Sequence, residues 1–139
     1  MKPVIVSACL LGYNCRYDGG NCRHQKVIDY LVAKTYLAVC PEELGGLPTP
    51  RLPSEINNNQ VVDNRQVDVS RQFQSGAQVV LKLAKYNNCE LAILKEQSPS
   101  CGSKEIYDGS FTGKIIAGQG ITTKLLVSQG IRVISEEEL

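Results

Sequence analysis

A chain of 139 residues, 42% hydrophobic and 21% charged, has the size and make-up of one globular domain over residues 1–139, not of a disordered segment or a coiled coil. Fifteen basic against fourteen acidic side chains leave a net charge of +1, without the basic stripe of a protein that binds nucleic acid through its phosphates. No stretch approaches the roughly 18–20 consecutive apolar residues of a membrane span.

The first element is a short β-branched run, Pro3 to Ala8, which predicts a buried strand rather than a secretory leader. A cytoplasmic, reducing setting is therefore expected, with neither membrane nor nucleic acid as partner. A loop rich in Gly, Asn and Asp covers 12–21, and Val27, Ile28, Leu31 and Val32 at helical spacing predict a short helix over 25–34. Tyr36 to Val39 reads as a second strand stopped by Pro41, followed by a Gly- and Pro-rich loop over 44–53. Val61-Val62 and Val67 to Val69 flank Asp63-Asn64-Arg65 in a pattern that predicts a hairpin, and Asn57 to Gln60 reads as a polar turn. Ser70 is the expected N-cap of the longest helix, whose Phe73, Ala77, Val80, Leu81 and Ala84 recur at three- and four-residue steps. Leu91 to Leu94 predicts a third buried strand, and 106–116 a hairpin around Asp108-Gly109 and Thr112-Gly113. A helix over 121–129 ending at Gly130 and a last strand over 131–134 complete the chain. Strands alternating with helices predict an α/β fold: a mostly parallel, Rossmann-like sheet flanked by helices, with a β-hairpin insertion.

Six cysteines stand out against this map. Cys9 follows the first strand, Cys40 the second, and Cys101 lies in the loop after the third. Ligands of open α/β sheets bind beyond the carboxyl ends of the strands, so these three thiols are expected to meet at one edge. Cys15 and Cys22 sit in the first loop, and Cys89 precedes a strand at the opposite edge. In a reducing setting, metal binding or catalysis explains such thiols better than disulfides. Three thiolates suit a soft metal. Zinc would need a fourth ligand, for which the lone His24 is the one histidine, and the paired short spacings common in zinc sites are absent. An iron–sulfur cluster accepts thiolates from separate loops, and three ligands would leave one iron open to substrate. Burial as small hydrophobes is the plain alternative.

Five segments, VSACLLGYNCRYDG (6–19), VCPEELGGLPTPRLPSE (39–55), VDVSRQFQSGA (67–77), LKEQSPSCGSKEIYDGSFTGK (94–114) and GQGIT (118–122), closely resemble the bacterial and archaeal thiouracil desulfidase family. The resemblance implies an α/β domain with a [4Fe-4S] cluster on Cys9, Cys40 and Cys101. It also implies the conversion of 2-thiouracil and water to uracil and hydrogen sulfide without net redox change. The extra domain that some relatives carry is not expected after Glu136.

Within that frame Glu42, two residues after a ligand, is the expected base with Glu43 second, although a Glu after Pro is also an ordinary helix-start residue. Ser98 and Ser100 beside Cys101 are candidates to orient water or to donate to a developing oxyanion. Cys15, Arg16 and Tyr17 are expected to line the pocket of a small thiolated pyrimidine. Lys95 and Arg51 would offset cluster charge or form ordinary surface charge. Two other classes compete: a sulfur-transfer enzyme with Cys101 as nucleophile, and a non-catalytic metal-binding module.

Overall fold

The computed structural model describes residues 2–139. Along the chain run β1 (Val4–Ser7), a 3-10 turn (Ala8–Leu11), α1 (Gln25–Leu31), β2 (Tyr36–Val39), α2 (Pro41–Leu44), β3 (Ser54–Asn57), β4 (Gln60–Asp63) and α3 (Ser70–Tyr86). They continue with β5 (Leu91–Leu94), β6 (Glu105–Tyr107), β7 (Ile115–Ala117), α4 (Ile121–Ser128), β8 (Arg132–Ser135) and a 3-10 turn (Glu136–Glu138).

Four strands form an all-parallel sheet in the order β2-β1-β5-β8. Alternation along each strand divides the apolar residues between its two faces. Val4 and Val6 of β1 and Ile93 of β5 pack with Val27 and Leu31 of α1. Ile5, Ala92 and Leu94 pack on the other face with Val80, Leu81 and Ala84 of α3 and Leu126 of α4. The result is three layers, helix–sheet–helices, as the strand and helix alternation predicts.

Two local readings need correction. The hairpin is β3 with β4, paired from Ser54↔Asp63 to Asn57↔Gln60 across Asn58-Asn59, whose positive φ values of 52° and 66° suit the tight turn. Val61-Val62 still meet the later segment, through a bridge between Val62 and Asp68 and the bond from Val69 N–H to the Val61 carbonyl, but that contact is no strand pair. Ser70 is the first residue of α3 rather than its cap. Its Oγ accepts the Val61 N–H at 2.8 Å, and the carboxylate of Asp68 accepts the Ser70 N–H at 2.8 Å.

One contact fixes where the second cysteine loop sits. A Cβ added at Gly76 would lie 1.8 Å from the Pro41 carbonyl oxygen, and one at Gly45 would lie 1.9 Å from that of Gln72. Only hydrogen at both positions lets α2 lie directly on α3. This close approach sets the position of Cys40 and Glu42, which bracket Pro41.

Candidate functional site

The order β2-β1-β5-β8 has its switch point between β1 and β5: the chain leaves β1 to form β2 on one side, then returns to form β5 on the other. Just beyond the carboxyl ends of these strands lies a cavity of about 380 Å³. Cys9, Cys40 and Cys101 line it, each contributed by the loop after a different strand. Cys15 and Cys22 line it too. Cys89 does not; it packs in the core among residues of α3, β5 and α4.

The thiols interact. That of Cys15 lies within hydrogen-bonding reach of both Cys9 and Cys40, and Cys40 Sγ approaches the Cys15 carbonyl oxygen at 3.7 Å. Contact with Cys15, reinforced by burial, pushes the Cys40 thiol up. For Cys15 the bond with Cys40 acts downward, but the bond with Cys9, burial and the nearby charges of Cys9 and Glu43 carry it up to about 12. Burial raises Cys101 to about 11, against the Ser7 and Ser100 hydroxyls. Without metal, these three thiols keep their protons at neutral pH. A soft cation binding at Cys40 and Cys101 would have to displace those protons, since the thiolate is the ligand.

Beside them a chain of polar side chains has a definite proton direction. Arg51 Nε donates to Glu42 Oε1 at 2.9 Å in an ion pair whose side chains are only 6% and 14% exposed. Ser100 Oγ donates to Glu42 Oε2 at 3.0 Å. Ser98 Oγ already accepts the N–H groups of Ser100 and Cys101, each at 3.1 Å, so its own hydrogen is free for Ser100 Oγ at 2.9 Å. The hydroxyls therefore point in series, Ser98 to Ser100 to Glu42. The remaining Arg51 donors reach Thr49 Oγ1 at 2.7 Å, the Pro48 carbonyl at 3.2 Å and the Cys15 carbonyl at 2.8 Å. The guanidinium thus ties the Glu42 helix to the first cysteine loop. Arg16 and Tyr17 line the cavity from that loop, with Arg16 donating toward Cys22 Sγ at 3.7 Å. Lys95 also lines it and pairs with Glu136 at 3.1 Å.

The Cys101 loop is held from two directions. The first N–H groups of α4 and its preceding Gly120 donate to the carbonyls of Pro99, Ser100 and Gly102, while Thr123 Oγ1 donates to that of Cys101 at 2.8 Å. These helix-end donors, which have no intrahelical partner, satisfy the loop instead. Glu96, 2% exposed, takes the N–H groups of Ser103, Lys104 and Glu105 on Oε1 and the Ser103 hydroxyl on Oε2. Burial acts to raise its pKa, but backbone N–H donors led by Lys104 and Glu105 outweigh it and hold the carboxyl below the usual range. A carboxyl so lowered contributes stability above the unfolded Glu value of about 4.3 and loses it as pH falls through the folded value. Glu96→Gln should therefore cost about 1.5–3 kcal/mol at pH 7, the scale of a hydrogen bond to a charged group. In urea denaturation the gap to wild type should narrow below pH 4.

A parallel α/β sheet with several thiols and an oriented carboxylate–hydroxyl chain at its switch point is the architecture of an α/β enzyme with its site at the carboxyl ends of the strands. Comparison with known proteins specifies it. A model of the 2-thiouracil desulfurase family matches residues 4–138, and the chain belongs to that family of enzymes. It is 42% identical over 146 residues to an uncharacterized protein of Bacillus subtilis (strain 168), YbbK, covering 98% of this chain and 97% of that one. It is also similar to the solved structure of a [4Fe-4S]-dependent thiouracil desulfidase, TudS, with a TM-score of 0.96 and 47% identity over 100% of this chain and 93% of that one.

Cys9, Cys40, Cys101, Glu42, Ser98, Ser100, Cys15, Arg16 and Tyr17 all border this cavity, whereas Glu43 and His24, also weighed from the sequence, do not line it. Sequence reasoning missed Cys22 as a lining residue, the pairing of Arg51 with Glu42, and the anchoring by Glu96.

Proposed function

We propose that this protein desulfurates a thiolated pyrimidine, converting 2-thiouracil and water to uracil and hydrogen sulfide with no net oxidation or reduction. We further propose that Cys9, Cys40 and Cys101 hold a [4Fe-4S] cluster, the cofactor in the name of the similar TudS structure. The donor set fits such a group: three soft thiols at one cavity, with hydroxyl and guanidinium donors beside them. Among the described residues, no three His, Cys, Asp or Glu side chains gather around a point that one ion would occupy. A cluster asks for no such gathering, because each thiolate binds a different iron.

When bound, the cluster supplies a soft Lewis acid suited to a thiocarbonyl sulfur. The chain supplies the rest. Glu42 takes a proton from the attacking water, and Arg51 holds the carboxylate in place through Oε1. Ser100, on Oε2, lies between that carboxylate and Cys101; its one hydrogen holds the carboxylate until Glu42 has taken the water's proton, and the hydroxyl is then released to donate to the oxygen at the former thiocarbonyl carbon. Ser98 fixes the direction of the Ser100 hydrogen. Arg16 and Tyr17 border the space for the pyrimidine. One observation carries this reading: a carboxylate–hydroxyl chain lies beside Cys101 at the cavity that Cys9 and Cys40 reach from two other strand ends, with Cys15 and Cys22 also lining it. A nucleophilic role for Cys101 is disfavoured, since its thiol is buried and retains its proton. We also propose a reducing, cytoplasmic setting, in which the six cysteines would stay available as thiols.

Anaerobic reconstitution with iron and sulfide, followed by assay of sulfide released from 2-thiouracil, tests the proposal. Repeated turnover without any electron donor is expected. A requirement for one reductant equivalent per cycle, or no sulfide release by protein that holds a full complement of iron, would overturn it.

A further inference from the structure

Ser7 ends β1 at the switch point. The β1–β5 ladder runs through Ile5↔Ala92 and Val6↔Ile93, and the strands then part. As they separate, the Ser7 side chain takes over the ladder's role. Its Oγ accepts the Lys95 N–H at 2.9 Å, immediately after β5. That bond occupies an acceptor position and leaves the hydroxyl hydrogen free. The sulfur of Cys101 lies 3.4 Å from the same Oγ, and Ser7 is 2% exposed, at the floor of the cavity and shielded from bulk water.

The other hydroxyl near this sulfur is differently engaged. Ser100 Oγ is 3.6 Å from Cys101 Sγ, but its single hydrogen has the Glu42 carboxylate at 3.0 Å, a shorter and charge-assisted bond. Ser98 gives its hydrogen to Ser100. Among these three serines, Ser7 alone has a hydrogen to commit to the sulfur.

We propose that Ser7 is a positioning residue that tunes the bound cluster through a hydrogen bond to Cys101. This rests on the proposed three-cysteine cluster. A donor to a ligating thiolate draws electron density from sulfur, which leaves the iron more electron-poor and raises the reduction potential. In a non-redox desulfurase the benefit is Lewis acidity, and the potential is its measure. Ser7 thereby couples the sheet's switch point to the metal: the group that bridges the parting strands also sets the electronic character of one ligand.

The test compares wild type, Ser7→Ala and Ser7→Thr, all reconstituted and matched for iron and sulfide content. Ala removes the donor, whereas Thr keeps the hydroxyl and adds a methyl group. The cluster midpoint potential should shift to a more negative value in Ser7→Ala and return toward wild type in Ser7→Thr. At saturating substrate kcat should follow the potential, with KM changing less. An unchanged potential in Ser7→Ala, or the same shift in both variants, would overturn the proposal. Should neither variant hold a cluster, wild type decides. Its terminal iron–thiolate stretches in resonance Raman should shift on exchange into deuterium oxide, and insensitivity would remove the hydrogen bond and the proposal with it. Failure of wild type itself to take up a cluster would refute the three-cysteine reading instead.

Discussion

Cys9→Ala, Cys40→Ala and Cys101→Ala should each abolish cluster retention and sulfide release, while Cys89→Ala leaves both nearly intact. The contrast follows from position. The first three thiols reach one cavity from three separate loops, and with three thiolates holding the group, losing any one leaves an additional iron without a protein ligand. Cys89 is buried, more so than Cys9 and Cys40, but belongs to the core on the α3–α4 face. Its truncation removes one sulfur's worth of packing, of the order of 1 kcal/mol. The sharper comparison is with Cys15→Ala and Cys22→Ala, whose thiols share the cavity. Both variants should keep their iron, because neither is a ligand in the proposed set. Iron and acid-labile sulfide analysis of the six purified variants, with circular dichroism to confirm folding, separates these cases. Full iron in Cys40→Ala together with loss in Cys15→Ala would exchange their roles.

The site was legible in the sequence where position along a strand decides position in space. Val4-Ile5-Val6, Leu37-Ala38-Val39 and Ala92-Ile93-Leu94 are apolar runs with turn residues beyond them. Parallel pairing then carries whatever follows each run to the same edge. Cys9 and Cys40, close after their strands, needed no more than that, whereas Cys101, further beyond β5, is also held by α4 and Glu96. The first loop was harder, because nothing in Gly12 to Cys22 encodes how it folds back. Its return depends on long-range bonds: Arg51 N–H to the Tyr17 carbonyl, Arg51 Nη2 to the Cys15 carbonyl, and Cys22 N–H to the Cys9 carbonyl. The role of Arg51 was hidden for the same reason, since a Pro-rich loop gives no periodicity from which to place a side chain. The strand Ser54–Asn57 escaped because Ser-Glu-Ile-Asn offers a single apolar residue. Its pairing is supported from outside, by the Glu55 carboxylate accepting the N–H groups of Gly109 and Phe111. Ser70 was misread as a cap because hydroxyl residues favour that position, yet here the hydroxyl serves the neighbouring β4.

The two halves of the site depend on one another through α2. This short helix carries Glu42, begins at the residue after Cys40, and lies against α3 with no room for side chains at Gly45 and Gly76. A rigid seat for α2 fixes carboxylate and thiol together. Across the cavity, the α4 N-terminus and Glu96 fix Ser98, Ser100 and Cys101 as a second unit. The only direct bond between the carboxylate and this second unit is Ser100 to Glu42 at 3.0 Å. The geometry between carboxylate and hydroxyl is therefore set by how two loops meet, which in the proposed mechanism would keep the general base within reach.

That meeting point carries the last prediction. Glu42→Gln keeps the length of the side chain and leaves an amide oxygen to accept from Arg51, so the buried guanidinium is not stripped of its partner. What it removes is the capacity to take a proton at neutral pH, together with an acceptor for Ser100, since an amide nitrogen only donates. The variant should fold and hold its full cluster, because Glu42 is not a ligand in the proposed set. Its rate of sulfide release from 2-thiouracil should fall by about 10²–10⁴, the usual contribution of a positioned general base. Glu42→Asp, which retains the carboxylate but draws it back by one methylene, should lie between wild type and Gln. The assay is steady-state sulfide release under anaerobic conditions, with iron content measured on the same preparations. Wild-type rates in the glutamine variant would dismiss Glu42 as the base. A loss of iron in parallel with the loss of rate would instead make the carboxylate a structural support of the Cys40 loop. Retained iron with a reduced rate, partly recovered in the aspartate variant, is the outcome expected of a proton-transferring carboxylate.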